Sequence, residues 1–237
     1  MTTTVTLKTP DGDMGLYDVE PESEARAAVI VAQEAFGVNP HIEDITRRLA
    51  GAGYRAVAPH LFHRTGDPVI EYGDYDKIMP QFAGLSEAGV LNDIDASIGY
   101  LETAGFAPSR IGVVGFCMGG TVAYMASVRR PLGAGVTFYG GGVTEGRFGM
   151  ASMLDLAPEL QTPWLGLYGD EDQGIPVEQV EALRAAVAIT DVDTEIVRYP
   201  GAGHGFHCDM RPDYHPDAAA DAWKRTLAWF EKYLVKT

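Results

Sequence analysis

Short apolar runs alternate with longer amphipathic segments through most of the chain. Residues 27–33 read Ala-Ala-Val-Ile-Val-Ala-Gln, an almost unbroken apolar run. That is the pattern of a strand buried on both faces of a parallel sheet. Residues 54–59, 111–115, 135–139, 164–168 and 194–199 are further strands of this kind. Residues 42–51, 86–104, 118–128 and 177–188 read as the helices between them. The first of these opens acidic and places Arg47-Arg48 near its end, in accord with the helix dipole. Residues 216–235 set Trp223, Leu227, Phe230 and Leu234 at helical spacing, a core-facing stripe. Strands at 5–8 and 14–19, joined through Pro10-Asp11-Gly12, predict an opening hairpin. Residues 61–84, with Gly66, Asp67, Pro68, Gly73 and Pro80, predict a loop carrying short helical pieces. Gly140-Gly141-Gly142 opens a second loop. Strand–helix alternation predicts an α/β fold, a mostly parallel central sheet with helices on both faces. No repeat or linker interrupts the 237 residues, so a single domain over 1–237 is expected.

Composition narrows the classes. The net charge of −15 repels nucleic acid and anionic membranes, and neither is expected as a partner. An anionic substrate would need a local positive group against that field. The first residues, MTTTVTLKTPDGDMG, lack the basic and apolar regions of a secretory signal. No apolar run approaches the length of a membrane span. Two cysteines, Cys117 and Cys208, are too few for a disulfide framework or a zinc ribbon. A reducing, cytoplasmic setting is the default expectation.

In an open parallel sheet the site lies at the carboxyl ends of the strands. After the strand at 111–115 comes Gly115-Phe116-Cys117-Met118-Gly119-Gly120, a nucleophile elbow with cysteine in the serine position. Small neighbours at Gly115 and Gly119 let the turn close. The helix that follows points its N-terminus at the sulfur, favouring a thiolate, and the Met118 N–H is a natural oxyanion donor. The bland alternative is a small buried hydrophobe.

This elbow demands nucleophile, acid and histidine in that chain order. The loop Gly169-Asp170-Glu171-Asp172 follows the strand at 164–168 and offers three carboxylates for the acid. His204 follows the last strand in Pro200-Gly201-Ala202-Gly203-His204-Gly205-Phe206, with His207 and His215 as nearby alternatives. An unperturbed thiol has a pKa of about 8.5, so an adjacent imidazole must take its proton. The carboxylate would fix the imidazole tautomer. The loop after 27–33 commonly gives a second oxyanion N–H, and Glu34 within it is an unusual carboxylate for that place.

Four blocks together resemble the dienelactone hydrolase family of the α/β hydrolases. They are Val31-Ala32-Gln33-Glu34-Ala35-Phe36-Gly37-Val38-Asn39, Gly115-Phe116-Cys117-Met118-Gly119-Gly120, Tyr168-Gly169-Asp170-Glu171-Asp172 and Gly203-His204-Gly205-Phe206. The resemblance implies an α/β-hydrolase fold with a sheet of about eight strands. It implies a Cys117–His204–Asp172 triad and an oxyanion hole from the backbone of Met118 and Ala35. It gives Glu34 an activating role: the matching family glutamate pairs with the resting thiol and moves when substrate binds. Phe36 and Tyr139 resemble pocket-lining positions. The family's carboxylate clamp uses two arginines. This chain departs there, offering Arg64 and Lys77 within 61–84, and His207 and Cys208 just after His204, with Arg211 further on as the candidate.

The expectation is hydrolysis of a small-molecule ester or lactone through a thioester on Cys117, by a monomer or homodimer, with no cofactor and no metal. The rival enzyme reading is attack on another electrophile, such as an organophosphate triester. A non-catalytic binding protein on the same scaffold, or a redox thiol protein using Cys208 as resolving cysteine, are the readings from other classes.

Overall fold

The computed structural model describes residues 1–235. Strands β1 (Thr2–Thr9) and β2 (Gly12–Val19) form the opening hairpin. They lead into β3 (Ala27–Ala32), helix α1 (Pro40–Gly51) and β4 (Tyr54–Pro59). Then follow α2 (Ile78–Phe82), α3 (Glu87–Thr103), β5 (Ile111–Phe116), α4 (Met118–Arg129) and β6 (Ala134–Phe138). The chain continues through α5 (Met153–Leu156), β7 (Trp164–Gly169), α6 (Val177–Val187), β8 (Thr194–Tyr199) and α7 (Pro216–Leu234). The eight strands make one sheet in the order β1-β2-β4-β3-β5-β6-β7-β8. Pairing is antiparallel only at β1–β2 and β2–β4.

The alternation in β3 shows why the sheet must be covered twice. All six of its residues are buried. Ala27, Val29 and Val31 share a core with Ile42, Ile45 and Leu49 of α1 and Phe230 and Leu234 of α7. Ala28, Ile30 and Ala32 share another with Val90, Ile94 and Leu101 of α3 and Val122 and Ala126 of α4. Period-two burial to both sides leaves no polar position in such a strand.

Several boundaries differ from the sequence expectation. Helix α1 starts at Pro40, two residues early, because Asn39 caps it: the Asn39 carboxamide oxygen accepts from Ile42 N at 3.1 Å and proline suits the first turn. The first strand runs from Thr2, extended by ladder pairing with β2 down to Val19. Strand β6 begins at Ala134 and ends at Phe138, leaving Tyr139 in the loop. The second loop contains α5, whose Ser152 cap accepts from Asp155 N. No helix among the described residues is long and apolar enough to cross a membrane.

Candidate active site

Five adjacent strand ends deliver the candidate groups: Glu34 after β3, Cys117 after β5, Tyr139 after β6, Asp172 after β7 and His204 in the loop after β8. Cys117 stands between β5 and α4 with φ 55° and ψ −116°. A non-glycine residue held there stores backbone strain of about 1–3 kcal/mol. Surrounding contacts hold it: its N–H donates to the Phe138 carbonyl at 3.1 Å, and its carbonyl accepts from Gly120 N at 2.9 Å. A β-carbon on Gly115 would run into the Gly119 carbonyl, and one on Gly119 into the carbonyls of Ala32 and Gln33. The turn therefore closes only with hydrogen at both positions. The Met118 and Ala35 N–H groups have no hydrogen-bond partner among the described residues.

His204 Nδ1 lies 2.6 Å from Asp172 Oδ2. Asp172 is buried, and its other oxygen accepts from Gly174 N at 2.9 Å. The backbone ties the two loops together, Glu171 N donating to the Ala202 carbonyl. Burial works against an imidazolium at His204. The charge of the nearby Cys117 sulfur and the Asp172 carboxylate outweigh it and push His204 up to about 10. The imidazole also packs on the Tyr139 ring, with centroids 5.2 Å apart.

The alternatives left open by the sequence have other occupations. Asp170 is taken by Arg198, at 2.7 and 2.9 Å, and Glu171 is exposed. His207 is buried among His41, Phe116, Phe138 and Trp223, and burial pushes its pKa well down. His215 caps α7, its Nδ1 accepting from Ala218 N.

Glu34 is fully buried and faces a hub that the sequence reading missed. Its Oε2 accepts from the Tyr72 hydroxyl at 2.9 Å. That hydroxyl accepts in turn from Asn39 Nδ2 at 3.0 Å and from the Cys208 thiol at 3.3 Å. Phe36 packs edge-on against Tyr72 at 4.6 Å. Burial of Cys208, with Glu34 nearby, pushes its thiol up to about 11.

A cavity of about 130 Å³ opens beside Cys117 and His204, walled by Phe82, Phe148 and Ile175. Arg147 also lines it, and its guanidinium has no hydrogen-bond or ion-pair partner among the described residues. Arg211 does not line this cavity. It is nearly buried, with Nη1 3.8 Å from Glu34 Oε1. Arg64 is bound to buried Asp93 at 2.8 Å and to Asp11, and Lys77 pairs with Asp74. A larger hollow, about 540 Å³, lies between Met1, Glu20 and Arg47 near the amino ends of β3 and β4, with neither Cys117 nor His204 on its wall.

Residues 14–234 match the model of the dienelactone hydrolase family. The chain belongs to the dienelactone hydrolase family. It is accordingly a hydrolase of ester or lactone bonds, with the α/β-hydrolase sheet. A relative from Salmonella typhimurium, named "Putative carboxymethylenebutenolidase", is 40% identical over 229 residues, covering 93% of this chain and 83% of that one. Among solved structures, a "Putative Dienelactone Hydrolase" from Klebsiella pneumoniae superposes with a TM-score of 0.91 at 37% identity, covering 98% of this chain and 99% of that one. A dienelactone hydrolase-like promiscuous phosphotriesterase from metagenomic libraries superposes with a TM-score of 0.80 at 26% identity, covering 98% of both chains.

Proposed function

We propose that this dienelactone hydrolase family member cleaves a carboxylic ester or lactone through a covalent thioester on Cys117. The observation that carries the reading is the cysteine in the strained elbow, with His204 Nδ1 held 2.6 Å from Asp172 beside it. In the acylation step the Cys117 sulfur, its proton already held by His204, attacks the carbonyl carbon. The N–H groups of Met118 and Ala35 receive the developing oxyanion. The imidazolium then protonates the leaving oxygen, and the ester C–O bond breaks. Water, deprotonated by His204, attacks the thioester; the acid leaves and the Cys117–His204 pair is restored with the proton on His204. Asp172 holds the tautomer and steadies the imidazolium through both steps. Glu34, bound to Tyr72 and close to Arg211, leaves Cys117 to His204 in this arrangement; its return to the thiol would restore a resting state.

Arg147 favours a substrate with an anionic group, because a guanidinium without partners among the described residues, on a mainly apolar cavity, opposes the chain's net charge of −15. Two free thiols fit a reducing, cytoplasmic compartment.

The test is an acyl adduct. A 4-nitrophenyl ester should give a burst of nitrophenol and a mass increase equal to the acyl group on the peptide carrying Cys117. Undiminished turnover by Cys117→Ala would overturn the reading. A second reading, attack of the same sulfur on phosphorus, is favoured by the likeness to the metagenomic phosphotriesterase. A dialkyl nitrophenyl phosphate assayed beside the carboxylic ester separates the two.

A further inference from the structure

Behind Cys117 the wall formed by the end of β3, α1 and the His204 loop holds an unusual number of unsatisfied groups. Buried side-chain atoms without a hydrogen-bond partner include Glu34 Oε1, His41 Nε2, Tyr139 Oη and His207 Nδ1. The His41 and His207 rings stand 6.0 Å apart. The hydrolytic steps proposed above use neither His41 nor Cys208.

Three of the side chains there carry ligand chemistry. A carboxylate oxygen of Glu34, a ring nitrogen of His41 and Cys208 Sγ all lie within 4.8 Å of one another. All three residues are buried, Glu34 and Cys208 completely and His41 to 3% exposure. We propose that Glu34, His41 and Cys208 form a binding site for one thiophilic divalent cation, with Zn²⁺ as the ion that suits it best. The donor set excludes harder ions, because a thiolate and an imidazole are poor ligands for magnesium or calcium. Three protein ligands with one open position is a tetrahedral arrangement that zinc accepts.

The distances are close to those the ion needs. Bonds of about 2.0–2.3 Å at tetrahedral angles put ligand atoms about 3.5 Å apart, so the three groups must draw in by roughly 1 Å. Glu34 can make that movement, since Oε1 is free of hydrogen bonds. Loading releases the Cys208 proton to solvent and gives two anionic ligands against the double positive charge. Arg211 opposes the ion, with Nη1 3.8 Å from Glu34 Oε1, but Asp213 stands 3.7 Å from its Nη2 and can take it over.

The nucleophile is itself thiophilic, so the experiment removes it. Co²⁺, a spectroscopic substitute for Zn²⁺, is titrated into Cys117→Ala. The expected result is one Co²⁺ per chain, tetrahedral visible bands and a near-ultraviolet thiolate-to-cobalt band, all displaced by Zn²⁺. Adding Cys208→Ser should abolish the thiolate band, and adding His41→Gln should weaken affinity by about tenfold or more. Thermal melts establish that each variant is folded; where Cys208→Ser is not, His41→Gln decides. Absence of one-equivalent uptake by Cys117→Ala overturns the proposal, as does a thiolate band that survives Cys208→Ser or an affinity unmoved by His41→Gln. Uptake is read without turnover, so its failure is separate from any failure of the hydrolase reading.

Discussion

The Tyr72 hydroxyl donates to Glu34 Oε2 at 2.9 Å and accepts from Asn39 and Cys208, so one phenol holds the buried carboxylate beside the nucleophile. Its single proton and both acceptor positions are in use. Tyr72→Phe leaves Glu34 Oε2 and the Asn39 amide without their hydrogen-bond partner in a buried place, each at a cost of about 1–3 kcal/mol. Urea unfolding should show a loss of about 2 kcal/mol or more. Ester turnover should change as well, because Glu34 is freed to approach Cys117.

The two aspartates of the β7 loop should separate cleanly. Asp172→Asn leaves the fold intact and lowers kcat by about 10²-fold or more, since the imidazole loses the partner that sets its tautomer. Asp170→Asn breaks an ion pair with Arg198 and should leave kcat within about twofold, with at most about 1 kcal/mol lost in stability. Steady-state kinetics on one neutral ester, with melts of both variants, checks this.

His204 should remain protonated well above the usual histidine range. Its folded pKa, about 10, is raised above the unfolded value. The stability it contributes is therefore complete below about pH 6.5 and is lost as pH rises toward the folded value. An NMR titration should show the His204 ring protons flat between about pH 6 and 8. Cys117→Ala removes one of the two raising partners and should move the midpoint down. A wild-type midpoint near the ordinary value would contradict the charge coupling of His204 to Cys117 and Asp172.

Arg147→Ala should discriminate by charge. Hydrolysis of a 4-nitrophenyl glutarate half-ester should fall by about tenfold in kcat/KM, while its neutral methyl ester changes by less than about twofold. The loss should shrink at high salt. Equal loss on both esters would show that Arg147 shapes the loop and does not read charge.

Gly119→Ala should be among the most damaging single changes. Its methyl group meets backbone carbonyls of β3, which cannot move without opening the sheet. A loss of about 4 kcal/mol or more, or failure to accumulate folded protein, is expected in urea unfolding.

These contrasts also show how much was legible in the sequence. The doubly buried strands were readable because each needs an unbroken apolar run. The elbow was readable because the turn demands glycine at 115 and 119, whatever lies elsewhere. The choice among Asp170, Glu171 and Asp172 was not local: it depends on Arg198, which comes from the neighbouring strand to occupy Asp170. Arg64 looked available as a substrate cation and is instead consumed by Asp93 of α3. Tyr72 and Arg147 gave no signal at all. Each lies in a stretch that reads as loop, and each acquires its surroundings from residues far away in the chain.

Each group of the candidate site hangs from a different strand end, while the cavity beside it is closed by Phe82, Arg147 and Phe148 from two connecting segments. Reactivity and selectivity are thus encoded in separate stretches of the gene. A library that randomises only Phe82, Arg147 and Phe148 could search new substrates without touching the atoms that break the bond, and most of its members should still fold.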